Sequence, residues 1–259
     1  MKYLIPTIVS ALLVTACSTP KEPSSCDYTK LVNPFIGTDY TGNTYPGAQV
    51  PFGMVQMSPD NGLPGWDRIA GYFYPDSTIA GFSHTHLSGT GAGDLYDISF
   101  LPVTEPLSVA EDPLGIHSKF SHNDESAYAG YYQVRLTDYD INVELTATQR
   151  CGIQRYTFPK DKQPIVLLNL AKAMNWDFTQ DSEIAVIDSV TVAGYRFSDG
   201  WARNQKLYFC SRFSRPFETC EISADSISLK NEYIGQGKNA RFTFDQNGSN
   251  VITVSTALS

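Results

Sequence analysis

Residues 81–94, GFSHTHLSGTGAGD, concentrate more polar chemistry than any other stretch of the chain: two histidines, four glycines, an aspartate and the hydroxyls of Ser83, Thr85, Ser88 and Thr90. Ordering such a segment costs backbone entropy and buries little apolar surface in return. A metal, a phosphate, a sugar or a tight corner could account for it. As a metal site it offers His84 and His86, two apart and so on one face of a strand. Two ligands do not make a site, and only His117 and His122 remain to help. As a phosphate loop, Gly89-Thr90-Gly91-Ala92-Gly93 would need a helix N-terminus after it, whereas DLYDISFLPV alternates toward a proline and predicts a strand. A plain corner explains the glycines but not Ser83, His84, His86 and Asp94 together. A carbohydrate fits them all: glycines let backbone groups approach hydroxyls, and His, Ser, Thr and Asp supply donors and acceptors.

The elements that must position this loop read as strands. YYQVRLTDY, INVELTAT, GIQRYTF, AVIDSVTVAGYRF, LYFCSRF, SISL, ARFTF and NVITVST alternate with a period of two. PIVLLNLA is short and continuously apolar, which fits a central strand or a buried segment of undecided type. FPKD, SDG and DQNG carry turn chemistry between the runs. No amphipathic helix longer than about two turns follows the N-terminus. The expectation is an all-β chain, a large antiparallel β-sandwich over residues 31–259.

Composition sets bounds. A formal charge of −8 argues against a nucleic-acid partner, whose phosphates demand a basic surface. Fifteen Tyr, fourteen Phe and three Trp suit both a β core and the faces of sugar rings. Among the five cysteines no CxxC pair occurs, so a structural zinc is not expected. Cys210 and Cys220 could meet across a hairpin or remain buried free thiols. Residues 1–16 read as a signal peptide, with Lys2 before a short apolar run. Val14-Thr15-Ala16-Cys17 resembles a bacterial lipobox, which would make Cys17 the acylated N-terminus of a tether over residues 17–30. That places the protein in the bacterial cell envelope, periplasmic or at the outer surface, held to a membrane. The final alternating run, TVSTALS, reads as a strand without a polar tail, from which a truncated chain is expected.

VNPFIGTD (32–39), YPGAQVPFGMVQMSPD (45–60), GWDRIAGYFYPDSTIAGFSHTHLSGTGAGDLYDISFLP (65–102), ELTATQRCGIQRYTFP (144–159) and SDGWARNQKLYFCSRFSRPF (198–217) strongly resemble glycoside hydrolase family 92, exo-acting bacterial α-mannosidases of glycan foraging, N-glycans included. The resemblance implies an N-terminal β-sandwich followed by a larger (α/α)6 barrel. It implies hydrolysis of terminal mannose with inversion and dependence on Ca2+; α-1,2 linkage is the type expected, with α-1,3, α-1,4 and α-1,6 left open because the leaving-group subsite would be formed mostly by the helical domain. The carboxylate pair and the calcium ligands would belong mainly to the helical domain, supplied in cis or trans and absent from these 259 residues. This domain would pack on the barrel and lend pocket loops: Trp66 as a platform beside a sugar ring, Asp67 as a hydroxyl acceptor, and His84, His86, Ser88 and Asp94 at the rim. No catalytic or metal ligand is assigned to this chain, and its partners would be mannose-containing glycans. The structural alternatives are a core Trp66, satisfied buried histidines, and Asp94 and Asp97 as a turn acceptor and a strand-edge charge. Two other classes compete: a non-catalytic carbohydrate-binding sandwich and a scaffold half of a split enzyme.

The lipobox carries its own test. The Cys17→Ala form should leave the membrane fraction on cell fractionation; unchanged membrane association would remove the lipidation reading.

Overall fold

The computed structural model describes residues 27–107, 115–171, 176–223, 226–230 and 233–259. Residues 1–26, which hold the expected signal peptide, Cys17, Cys26 and most of the expected tether, lie outside the described residues. Two large antiparallel sheets carry the alternating segments. The seven-stranded sheet runs, in spatial order, through Ala48–Gln49, Gln56–Asp60, Gly81–Ser83, Ser99–Val103, Ile165–Asn169, Asn239–Thr243 and Thr219–Ile222. The eight-stranded sheet runs through Phe178–Val186, Thr191–Asp199, Gln205–Phe213, Val251–Leu258, Cys151–Thr157, Ile141–Ala147, Tyr131–Leu136 and Glu125–Tyr128. The helical elements among the described residues are short 3-10 turns at Tyr28–Leu31, Trp66–Arg68 and His122–Asp124. The all-β sandwich expected from the alternation is the observed fold.

Periodicity and burial agree strand by strand. In Ile141–Ala147 the side chains of Ile141, Val143 and Leu145 are buried, while Asn142 and Thr146 face water. Val251–Leu258 alternates likewise. The ambiguous run PIVLLNLA becomes Ile165–Asn169, paired with Ser99–Val103 on one side and Asn239–Thr243 on the other. Ile165 to Leu168 are all buried, so this central strand shows no alternation to read. Cys210 and Cys220 are free thiols, as one expectation had it, but they are not fully buried ones. Cys210 sits in Gln205–Phe213 at an outward position and is exposed; Cys220 sits in Thr219–Ile222 of the other sheet and is partly buried.

The two sheets meet in one aromatic cluster. Phe213 of the eight-stranded sheet lies 6.3 Å from Phe100 and 4.9 Å from Phe242, both of the seven-stranded sheet, and 5.3 Å from Phe244 (ring centroids). Its exposure is 1%. Truncating it leaves a cavity between rigid sheets. Phe213→Ala should cost about 3–5 kcal/mol, a drop in Tm on the order of 10 °C for a domain of this size. Thermal melting followed by circular dichroism checks it, and a shift of only a degree or two would mean that the sheets close over the gap.

Candidate functional site

The loop GFSHTHLSGTGAGD divides in two. Ser83, His84, Thr85 and His86 are buried; Ser88, Gly89, Thr90 and Gly91 are exposed; Ala92, Gly93 and Asp94 turn back into the molecule. The exposed run is therefore shorter than the sequence suggests. His84 and His86 lie under the surface rather than on it.

Each histidine holds a different part of the floor. His84 Nδ1 donates to the Ile98 carbonyl at 2.6 Å, and its ring meets the Phe100 edge at 6.0 Å. Gly152 of the facing sheet allows this approach, since a Cβ there would sit 2.9 Å from Nε2. Burial pushes the His84 pKa down to about 4, against a smaller opposing effect of the Ile98 hydrogen bond. His86 Nδ1 donates to the Gln56 carbonyl at 2.8 Å, and one proton lies between its Nε2 and Asp60 Oδ1, 2.9 Å apart. Ser83 Oγ stands 3.2 Å from the same nitrogen, and the Tyr45 and Tyr96 rings close around the imidazole.

Asp94 serves the backbone. It is 1% exposed and accepts from the amides of Trp201 (3.0 Å) and Ala202 (2.7 Å), and from Gln205 Nε2 at 3.4 Å. It thereby fastens the turn that follows Thr191–Asp199. The strand expected from Asp94 onward begins only at Ser99. Between them Leu95, Tyr96 and Ile98 adopt left-handed φ values of 87°, 66° and 53°, a conformation side chains resist. Tertiary hydrogen bonds impose it: Leu95 N donates to Asp177 Oδ2 at 2.8 Å, Tyr96 N to the Thr85 carbonyl at 3.0 Å, and Asp97 N to Thr85 Oγ1 at 2.9 Å.

All three tryptophans gather on this loop. Trp66 is 56% exposed, and a Cβ on Gly91 would lie 3.5 Å from its ring. Trp176 meets Trp66 with centroids 5.6 Å apart, and its amide donates to the Gly93 carbonyl at 3.4 Å. Trp201, 78% exposed, follows Gly200 on the turn held by Asp94. Gly89 N donates to the Asn43 carbonyl at 2.6 Å, which brings the 40–44 segment alongside. The Trp66–Arg68 turn is pinned by Arg68, whose Nε and Nη2 donate to the two Asp76 oxygens at 2.6 Å each. Trp66, exposed Asp67 and exposed Ser88 thus stand on the loop cluster, with Asp94, His84 and His86 beneath it. The sequence reading gave Trp176, Trp201 and Asn43 no role. The available signal was the pairing of every tryptophan with Gly or Asp, in GWD, NWD and GWA.

A buried ion cluster lies behind the loop. Arg196, 1% exposed, donates from Nη1 to Asp97 Oδ1 (2.5 Å), from Nη2 to Asp177 Oδ1 (2.8 Å) and from Nε to Thr179 Oγ1 (2.8 Å). Burial alone would lower the Arg196 pKa, but the Asp177 and Asp97 carboxylates raise it. Burial raises the Asp177 pKa against the pull of the guanidinium. Among the described residues no three His, Cys, Asp or Glu side chains gather as a metal ion would require. No such side-chain cluster for the calcium implied by the resemblance occurs among the described residues.

The sandwich thus presents a tryptophan-rimmed, glycine-rich loop at the ends of its strands. Residues 31–259 match the glycosyl hydrolase family 92 N-terminal domain, and the chain belongs to that family. A family GH92 α-mannosidase of Bacteroides thetaiotaomicron, solved with mannoimidazole, is 36% identical with a TM-score of 0.80, over 89% of this chain and 32% of that one. A family GH92 inverting mannosidase of the same species is 26% identical with a TM-score of 0.71, over 92% of this chain and 32% of that one. An uncharacterized secreted glycosidase of Arthroderma benhamiae is 28% identical over 159 residues, 56% of this chain and 20% of its own length. The chain thus spans about a third of the solved relatives.

His84 makes stability depend on pH. An unfolded histidine titrates near 6.5, while His84 in the fold takes its proton only near pH 4. Its stabilising share is complete above pH 6.5 and is lost as pH falls from 6.5 toward 4, by about 1.4 kcal/mol per pH unit. His84→Gln keeps a donor for Ile98 and removes the titration. In urea melts, the loss of stability between pH 7 and pH 5 should shrink by about 2 kcal/mol in the variant; an unchanged pH slope assigns the loss to other groups.

Proposed function

We propose that this chain is the N-terminal domain of an exo-acting α-mannosidase that removes terminal mannose, of α-1,2 type, from glycans with inversion. Its part is to bind and orient the sugar while a helical domain, in cis or trans, brings the reacting carboxylates and the calcium. The observation that carries this reading is the convergence of Trp66, Trp176 and Trp201 on the loop 88–94. An aromatic face packs against the C–H face of a pyranose, and the polar groups around it fix the ring's orientation. Trp66 is the platform, Asp67 accepts hydroxyl protons, and Ser88 with the backbone of Gly89 and Gly91 lines the edge. Asp94, His84 and His86 act from below, holding the loop that the sugar touches. Bound calcium would supply charge at the sugar hydroxyls.

Inversion needs an acid and a base on opposite faces of the ring, roughly 6.5–9.5 Å apart, with water between them. Asp60, Asp94, Asp97 and Asp177 are buried and engaged by backbone or side-chain groups, which among the described residues leaves Asp67 as the exposed carboxylate beside Trp66 and the loop 88–94. One carboxylate cannot serve both faces. Export and lipid anchoring through Cys17 complete the proposal, and the secreted relative supports the exported half of it.

The chain alone should release no mannose from α-mannosides, as followed by reducing-sugar release. Joined to a helical domain of its family, Trp66→Ala should lower kcat/KM roughly tenfold or more, about 1.4 kcal/mol of transition-state binding. Turnover by the chain alone would make Asp67 a catalytic residue. Unchanged kinetics in Trp66→Ala would remove the sugar from the tryptophan rim.

A further inference from the structure

We propose that Arg196 is the positioning residue of the tryptophan rim, a single buried guanidinium that sets where Trp176, Trp201 and the loop 88–94 stand relative to one another. The inference rests on the reading of that rim as the sugar-facing surface. Arg196 lies on Thr191–Asp199, and the groups it holds belong to other segments. Asp97 lies within the strained stretch, between Tyr96 and Ile98. Asp177 is the residue after Trp176 and also accepts from Leu95 N (2.8 Å) and Ser198 Oγ (3.3 Å). The Leu170 carbonyl, at the end of the central strand of the opposite sheet, accepts from Nε at 3.2 Å. The strand carrying Arg196 leads through Gly200 to Trp201, whose amide returns to Asp94. Each arm of the rim is therefore within a few residues of a group that this one side chain holds.

Stability alone gives a poor reason for the arrangement. Two carboxylates and one guanidinium out of water carry a desolvation penalty, and apolar residues of the same volume serve a core at least as well. What the cluster supplies is geometry. A guanidinium is a planar fork with donors at fixed angles, so the separation of Asp97 from Asp177 is set by its shape. The left-handed run Leu95, Tyr96, Ile98 needs such over-determination to persist. A lysine, with one flexible ammonium, cannot hold both carboxylates and Thr179 at once.

Tryptophan emission reads the rim directly, because the chain's three tryptophans all belong to it. In Arg196→Lys, measured on the full chain, acrylamide quenching should rise, chiefly through the partly buried Trp176. Hydrogen exchange over 88–94 and 199–204 should accelerate at least tenfold, while Ile141–Ala147 keeps its protection. Emission and exchange like the parent's would overturn the proposal, and so would equal acceleration in the loops and in Ile141–Ala147, which marks a merely structural residue. Should Arg196→Lys fail to fold, Thr85→Val decides instead. It removes the hydroxyl that donates to Asp97 Oδ2 at 2.6 Å, and exchange over 88–94 should quicken at least threefold; no change overturns the role. A rim that loosens as expected, together with unchanged kinetics in the Trp66→Ala enzyme, would keep Arg196 in its role and overturn only the sugar reading.

Discussion

Two carboxylates share one guanidinium between the sheets, and the loop end of the sandwich is arranged around that fact. Elsewhere the sheets adhere through aromatic and branched side chains, as at Phe213, Phe100 and Phe242. Apolar contact of that kind is non-directional and tolerates small slides. At Arg196 the contact is directional. Asp97 comes from the approach to Ser99–Val103, Leu170 from the end of Ile165–Asn169, and Asp177 and Thr179 from the start of Phe178–Val186. A slide of one sheet would pull a carboxylate off its donor in a water-poor interior, where an unpaired charge is costly. The aromatic cluster makes the sandwich cohere, and the ion cluster gives its loop end one register.

The histidines extend the same logic toward the surface. His86 joins the Gln56 carbonyl to Asp60, so it clamps the strand Gln56–Asp60 from within. Gly71 lets the chain pass beside that pair, since a Cβ there would meet Asp60 Oδ1 at 2.6 Å. Its neighbours in sequence lead back to Arg68 and the Trp66 turn. Polar residues that look like ligands in the sequence are thus spent on holding a loop whose exposed part is only four residues long. That is an economical use of side chains when the loop itself, rich in glycine, has no means of fixing its own shape.

What the sequence makes legible follows from the range of the interactions. Strands such as Ile141–Ala147 are written in their own alternation, because burial on one face is a local pattern. Ile165–Asn169 is not, since a strand buried on both faces carries no period. The segment after Asp94 alternates like a strand but is bent by partners at Thr85 and Asp177, up to 82 positions away. The glycines and hydroxyls of 88–91 announce an exposed loop. The depth of His84 and His86 depends on Gln56, Asp60 and Gly152, which no local pattern reveals. Arg196 in VAGYRFSDG looks like one more outward strand residue. Its partner Asp97 is 99 positions away.

The distribution of carboxylates gives the proposed division of labour a physical basis. A group whose lone pairs are taken by several backbone or guanidinium donors is a good structural anchor and a poor proton carrier, because few of those lone pairs are left to meet a substrate. Asp94, with two amides and a side-chain amide on it, is of that kind. So is Asp97, held by Arg196 and Thr85. The tryptophans, by contrast, keep large open faces: more than half of Trp66 and three quarters of Trp201 remain exposed. A surface with abundant apolar platform and anchored acids is suited to holding a sugar ring still, not to moving protons across it. On this reading rigidity is the domain's contribution to catalysis. A ring held against a fixed platform needs little further ordering when the acid and base approach from the other domain.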